Sequence, residues 1–261
     1  MDETTLNPSL QQIVDDIADV SRYIWERGWS AANGGNLTVD VTEAAAESNF
    51  PAGAEMIPLP VAVEALAGRI MFVTVSGSRF RDVPRDPAKA LILMRISADG
   101  AGYEVLWGGS GSGKPTIELI PHLKVHGHLR SHGLPQTVVL HTHPVHLIAM
   151  THLPEYRNPD FERVLQTSQT TAKVFLGEGV GMARYLPMGS EQLGERTVDL
   201  IRGRRAVMWE RHGCLVIGRD VNEAFDLTDL LEKAARIFLL CVTSGYEPKR
   251  MTPDETTSLG K

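Results

Sequence analysis

Between residues 69 and 108 the sequence alternates strand-like segments with turns, and that limits the folds open to the chain. "RIMFVTVSGSRF" (69–80) reads as a strand running into a small-residue turn. "ALILMRIS" (90–97) and "GYEVLWG" (102–108) read as two more, separated by the turn "ADGAG". Parallel neighbours need a crossover of about a dozen residues or more, so strands joined this closely run antiparallel. Helical stretches are interleaved with the strands elsewhere. Ile13, Val14, Ile17, Val20, Ile24 and Trp25 recur at helical spacing, which predicts an amphipathic helix over 8–27 that stops at Gly28. Residues 118–130 and 144–152 read as helical, with a strand over 136–143 between them. A further helix follows Asp220 and Glu223, placed as a capping-box variant ahead of Ala224, Phe225, Leu227, Leu230 and Leu231. "SAANGGNLTVDV" is a Gly-Gly turn entering a strand at Leu37, Val39 and Val41. "AKVFLG" (172–177) and "AVMWERHGCLVIG" (206–218) are expected to add strands, residues 43–60 a loop, and the chain after Tyr246 a polar, loose tail. The interleaving predicts a layered α/β fold with a mixed or mainly antiparallel sheet, not a doubly wound parallel one.

Composition excludes several classes of function. Of 261 residues 43% are apolar and 22% charged, as in ordinary globular chains, and the formal net charge is -6. No basic tract stands out, so neither nucleic acid nor an anionic membrane is the expected partner. There is no apolar run long enough for a membrane span. The polar, acidic start Met1-Asp2-Glu3-Thr4-Thr5 does not read as a signal peptide. Cys214 and Cys241, the only cysteines, make no disulfide framework and fit a reducing cytoplasm.

Two stretches invite a chemical reading. "GGSGSGKPT" nearly spells a phosphate-binding loop, but Pro115 stands where the motif needs Ser or Thr after Lys114. Pro115 also disfavours a helix starting there, so the segment is expected to be a flexible loop. "HTHPVHLIAMTH" (141–152) holds four histidines. On a strand His141 and His143 share one face, about 7 Å apart at the backbone, within reach of one divalent ion. Pro144 ends the strand, and His146 and His152 fall on the helical stretch beyond it. An open metal site of three protein ligands needs a third, and His212, beside Gly213, is a candidate. His122 and His126, at i and i+4 on a helix, are a rival pair. With His128 beside them they read as part of a polar face. Glu118, at a helix start, serves either the helix dipole or, beside a cation, proton transfer. The turns in "ANGGNLT" and "TVSGS" offer backbone N–H, amide and hydroxyl donors to an anion such as phosphate.

Taken together these pieces resemble the class II (zinc-dependent) sugar-phosphate aldolases. The resemblance runs through "GWSAANGGNLTV", "FVTVSGSRFRDV", "DGAGYEVLWG", "PTIELIPHL", "HTHPVHLIAMTH", "GVGM", "MWERHG" and "AFDLTDLLEKAA", in that order. It implies a three-layer α/β/α fold with a central, mainly antiparallel sheet, a single domain over residues 1–261. It also implies a cytoplasmic homotetramer with active sites at subunit interfaces. His141, His143 and His212 fall on the family's zinc ligands and Glu118 on its catalytic glutamate. Asn33, Gly34, Asn36, Ser76, Gly77 and Thr116 fall among the substrate-binding positions. The implied activity is retro-aldol cleavage of a ketose 1-phosphate, such as L-rhamnulose 1-phosphate, to dihydroxyacetone phosphate and L-lactaldehyde. A pentulose-phosphate 4-epimerase, an aldolase using another aldehyde and a non-catalytic metal-binding relative are the alternatives within the resemblance. Two positions depart from the family pattern: Ile117 replaces a serine, and Thr171 stands where a neighbouring subunit's glutamate is expected.

Overall fold

The computed structural model describes residues 5–50, 55–153, 161, 164–165, 170–176, 179–246, 248–249 and 251–258. The chain opens with α1 (Pro8–Glu26), then β1 (Asn36–Asp40), β2 (Ile57–Pro58), β3 (Ile70–Thr74), α2 (Pro87–Ala90), β4 (Leu91–Ile96) and β5 (Gly102–Gly108). Next come α3 (Leu119–Ser131), β6 (Val138–Thr142), α4 (Val145–Thr151), α5 (Thr170–Leu176) and β7 (Val180–Ala183). The last elements are α6 (Glu191–Ile201), β8 (Ala206–Trp209), β9 (Gly213–Gly218), α7 (Val221–Thr243) and α8 (Pro253–Ser258).

Among the described residues the strands form one sheet in the order β2-β5-β4-β3-β1-β6-β9-β8-β7. The sheet is mixed, one of the two arrangements that the interleaving of strands and helices allows. β7 pairs β8 in parallel, while the other described neighbours, such as β1 with β3 and β6, run antiparallel. The cause is α6, a crossover that carries the chain from the end of β7 back to the start of β8.

Strand alternation sorts β1 between two faces. Leu37, Val39 and Val41 pack with Leu10, Val14, Ile17, Val20 and Ile24 of α1 and with Val221 and Ala224 of α7. On the other face, Met71 and Val73 of β3 pack under Leu119 and Leu123 of α3. Val139 of β6 and Leu215 of β9 pack under Val125 and Leu129 of the same helix. α1 starts where the sequence sets it: Asn7 Oδ1 accepts the Leu10 N–H at 2.8 Å and Pro8 takes the first turn. It ends before Gly28, whose φ of +74° only glycine adopts easily.

Three expectations are overturned. The strand foreseen over 172–177 is helical through Leu176, in α5, and position 177 lies outside the described residues. A short apolar run has no decisive period, and here packing against α7 settles it as a helix. The tail after Tyr246 contains α8, started by reciprocal bonds between Thr252 and Glu255. The proline-rich loop over 43–60 contributes β2 to the sheet edge. β7 and α6 had no counterpart in the sequence reading. The signal for α6 was the Ser190 cap followed by Leu193, Thr197, Leu200 and Ile201.

The cap and the middle of α1 should differ in their response to mutation. Ile17→Ala empties a fully buried site and should lower the unfolding free energy by about 2–5 kcal/mol. Asn7→Ala removes a cap and should cost about 0.5–2 kcal/mol. Urea unfolding of both variants checks the order.

Candidate metal centre

β6 lies between β1 and β9, and its last residues hold the first part of the site. Asn36 is the cross-strand partner of His141 on one side, and Leu215 is its partner on the other. His143 follows the strand directly, and its N–H donates to Trp29 O at 2.8 Å. His212 comes from the tight connection between β8 and β9. Arg211 there takes a left-handed φ of +59°, and its N–H is held by Thr151 Oγ1 of α4 at 2.9 Å. That turn folds His212 back toward β6. One ring nitrogen from each of His141, His143 and His212 lies within 4.8 Å of the other two.

The donor set suits a metal ion. His141 Nδ1 lies 3.0 Å from Cys214 O, so its N–H is committed outward and the Nε2 lone pair faces the cluster. His143 Nε2 sits 3.1 Å from His141 Nε2. Burial holds all three rings below their usual range: His141 well below it, His143 below it and His212 at about 4, with neighbouring imidazoles adding to the effect on His141 and His212. They are therefore neutral near pH 7, the form that ligates a cation. Two glycines make the space. A Cβ on Gly213 would lie 2.6 Å from His141 Cε1 and 2.8 Å from His143 Cδ2. A Cβ on Gly34 would lie 2.6 Å from His143 Nδ1. Behind them the Trp209 ring backs His141 at 4.5 Å, anchored by its Nε1–H to Thr197 Oγ1 at 2.9 Å.

Glu118 immediately precedes α3 but does not cap it with its side chain. The carboxylate turns instead to the histidines. Its Oε2 accepts from Asn36 Nδ2 at 2.7 Å and lies 3.4 Å from His141 Nε2, and its Oε1 lies 3.4 Å from His212 Nε2. Burial raises the Glu118 pKa, and the Asn36 bond partly opposes that. The grip of Asn36 on Glu118, across 82 positions of sequence, had no signature in either segment alone.

The other expected site residues reach this centre to different degrees. Thr116 is buried, and its hydroxyl accepts the Glu118 N–H at 3.3 Å. Backbone bonds from Ser76 N to Lys114 O and from Thr116 N to Thr74 O pin the "VSGS" turn beside that segment. Ser76 and Gly77 line a cavity of about 560 Å³ shared with Arg79 and Lys89, whose lining contains neither Glu118 nor any of the three histidines. Asn33 is exposed on the turn before β1, and Ile117 is 65% exposed. Thr171 lies on α5, lining a cavity with Arg219, Asp226 and Leu230 whose lining contains none of the three histidines. His146 is engaged elsewhere, with its Nδ1 2.6 Å from Glu232 Oε1, and His152 is exposed at the end of α4.

The rival pair is placed differently from the polar face expected of it. His122 and His126 are fully buried, and both contact Thr38 Oγ1, at 3.0 and 2.8 Å. His128 stands apart from them, stacked on His132 at 4.2 Å. Burial pushes His122 and His126 each down to about 3. No helix among the described residues is long and apolar enough to cross a membrane.

Residues 15–239 match the Class II Aldolase and Adducin N-terminal domain family. The rhamnulose-1-phosphate aldolase of Bacteroides thetaiotaomicron is 33% identical over 251 residues, covering 95% of this chain and 93% of that protein. The enzyme of the same name from Klebsiella pneumoniae subsp. pneumoniae is 34% identical over 241 residues, covering 91% and 87%. Among solved structures, a sugar-phosphate aldolase from Thermotoga maritima superposes with a TM-score of 0.76 at 29% identity, covering 92% of this chain and 98% of that one.

Gly213→Ala should drive its methyl group into two imidazoles and weaken metal binding by on the order of 10- to 100-fold, as loss of outer support does elsewhere. Metal titration followed by elemental analysis reads this, and undiminished affinity would count against the cluster. A second expectation concerns acid. His122 and His126 have folded pKa values of about 3 against 6.5 when unperturbed. The unfolded chain binds the extra protons first, so the stability these neutral rings contribute is complete above pH 6.5 and is lost as pH falls toward 3. Urea unfolding across that range should show the decline begin near 6.5.

Proposed function

The chain belongs to the class II aldolase and adducin family and is a lyase, and from that premise we propose that it cleaves L-rhamnulose 1-phosphate, with zinc, to dihydroxyacetone phosphate and L-lactaldehyde. The observation that carries this reading is the Glu118 carboxylate lying within 3.4 Å of both His141 Nε2 and His212 Nε2. It puts a proton carrier beside a set of neutral metal donors. His141, His143 and His212 would hold the ion, three neutral nitrogens being a common set for catalytic zinc. Breaking a carbon–carbon bond beside a ketone leaves an electron pair on the adjacent carbon, and a bound divalent cation supplies the Lewis acid that accommodates that charge.

The chain's own residues supply the remaining steps. Asn36 holds Glu118 Oε2, so Oε1 is the oxygen left to carry the proton. As the carbon–carbon bond breaks, the hydroxyl on the aldehyde side becomes a carbonyl and releases its proton to solvent. Glu118 gives its own proton to the carbon of the departing dihydroxyacetone unit, and synthesis reverses both transfers. The raised pKa of Glu118 favours a group that must alternate between both forms. Asn33, Gly34, Asn36, Ser76, Gly77 and Thr116 would line the substrate pocket, where turn N–H groups and hydroxyls suit a phosphate. Ile117 brings no hydroxyl to that set.

A homotetramer with active sites between subunits is part of the proposal. Large apolar side chains left exposed on the single chain support it: Ile117 at 65%, Val145 at 60%, Tyr185 at 63% and Met188 at 61%. Two free cysteines are in keeping with a reducing cytoplasm. Helices packed on both sheet faces support the three-layer arrangement over one domain.

Product analysis tests the reading. The metal-loaded protein should release free dihydroxyacetone phosphate from L-rhamnulose 1-phosphate. A second sugar phosphate without cleavage would point to epimerisation, and bound metal with no turnover to a non-catalytic relative. Glu118→Gln should keep the metal but slow proton exchange on dihydroxyacetone phosphate by on the order of 100- to 10,000-fold.

A further inference from the structure

The seam between β1 and α3 is polar along its centre and apolar on both flanks. Alternate β1 residues Asn36, Thr38 and Asp40 face the helix. Glu118, His122, His126 and Arg130, spaced by four, face the strand. The rungs are Asn36 to Glu118 at 2.7 Å, Thr38 to His122 and His126 at 3.0 and 2.8 Å, and Asp40 to Arg130 at 3.8 Å. Leu119 and Leu123 flank this line on the β3 side, and Val125 and Leu129 on the β6 side. Apolar residues along the centre would bury more cheaply than two imidazoles and a hydroxyl. Directional hydrogen bonds between polar groups add a constraint on alignment to the apolar packing of the flanks.

The middle rung is the most constrained. Thr38, His122 and His126 are fully buried. His122 Nε2 and His126 Nδ1 have no hydrogen-bond partner among the described residues, so Thr38 is the group that orients both rings. One hydroxyl has one proton, so it donates to one ring and accepts from the other. The contacts use Nδ1 of His122 and Nε2 of His126, which forces both rings into the same tautomer. Either both carry the proton on Nε2, or both on Nδ1.

The rung above this clasp is the candidate site itself. Asn36, two residues before Thr38, pairs across the sheet with His141 and grips Glu118. Glu118 stands one helical turn before His122. A one-residue slip of α3 would carry it about 1.5 Å along and about 100° around the axis.

We propose that Thr38, His122 and His126 are positioning residues for Glu118: the doubly bonded hydroxyl fixes α3 against β1 and so sets the carboxylate against the three metal-binding histidines. The kinetic readout rests on the retro-aldol reading; the placement of Glu118 does not.

Two substitutions at one position make the test. Thr38→Val removes the hydroxyl and keeps the shape, and Thr38→Ser keeps the hydroxyl. On metal-loaded protein with L-rhamnulose 1-phosphate, Thr38→Val should lower kcat by on the order of 100-fold, as a misplacement near 1 Å does. KM and bound metal should hold, and Thr38→Ser should restore turnover. An unchanged kcat in Thr38→Val, a fall matched by lost metal, or no rescue by serine would overturn the proposal. If Thr38→Val does not fold, His126→Gln against His126→Leu makes the same comparison, because the Gln amide still reaches Thr38. Wild-type protein that leaves the sugar phosphate intact would refute the functional reading alone. A crystal structure of Thr38→Val then decides the matter: Glu118 released from Asn36 upholds the proposal, and Glu118 unmoved overturns it.

Discussion

The pairing of β6 with β1 on one side and β9 on the other is the constraint from which the candidate site follows. β6 carries His141 and leads into His143. β1 places Asn36 opposite His141, and through Asn36 it fixes the Glu118 carboxylate. β9 begins at Gly213, directly after His212, and its Cys214 carbonyl sets the His141 tautomer. A slip of one residue in either register would send these side chains to the wrong face. The register is held by apolar residues on the same strands: Val138 and Leu140 under α1, Val139 and Leu215 under α3.

Such a site is costly to assemble. Three imidazoles and a carboxylate sit close together and largely out of water, with burial driving each toward its neutral form. A cation among the rings would reinforce the neutral imidazoles and reverse the balance for the carboxylate alone, because neutral imidazoles and an ionised carboxylate are the forms it favours. The surrounding fold is dense enough to hold the groups together in the meantime. Trp209 is backed by Thr197, Arg211 is tied to Thr151, and Glu232 accepts the first N–H groups of α4. Each support comes from a different helix, so the site depends on the packing of the whole sheet.

What the sequence revealed depended on how local the signal was. The His141–His143 pair was legible because strand alternation alone puts both on one face. α1 and α7 were legible because their apolar periods run for many residues. α5 was misread because its run is too short to show a period, and packing on α7 decided it. His212 could be named beside Gly213, yet the reason for the glycine, space for two imidazole rings, exists only in three dimensions. The His122–His126 pair looked like possible ligands on a polar helix face. Its partner is Thr38, more than 80 residues earlier, with which it forms a closed buried cluster. Polar contacts between distant segments leave no periodic trace, and the finest features of this site are of that kind.

The central claim is that His141, His143 and His212 hold one metal ion next to Glu118. Anomalous diffraction at the zinc edge, from crystals grown with zinc and soaked with a hydroxamate mimic of the dihydroxyacetone unit, tests it most directly. The account predicts one strong peak roughly 2.0–2.1 Å from a nitrogen of each of the three histidines, with the hydroxamate oxygens on the ion and Glu118 beside them. A peak elsewhere, or one that leaves out His212, would contradict it.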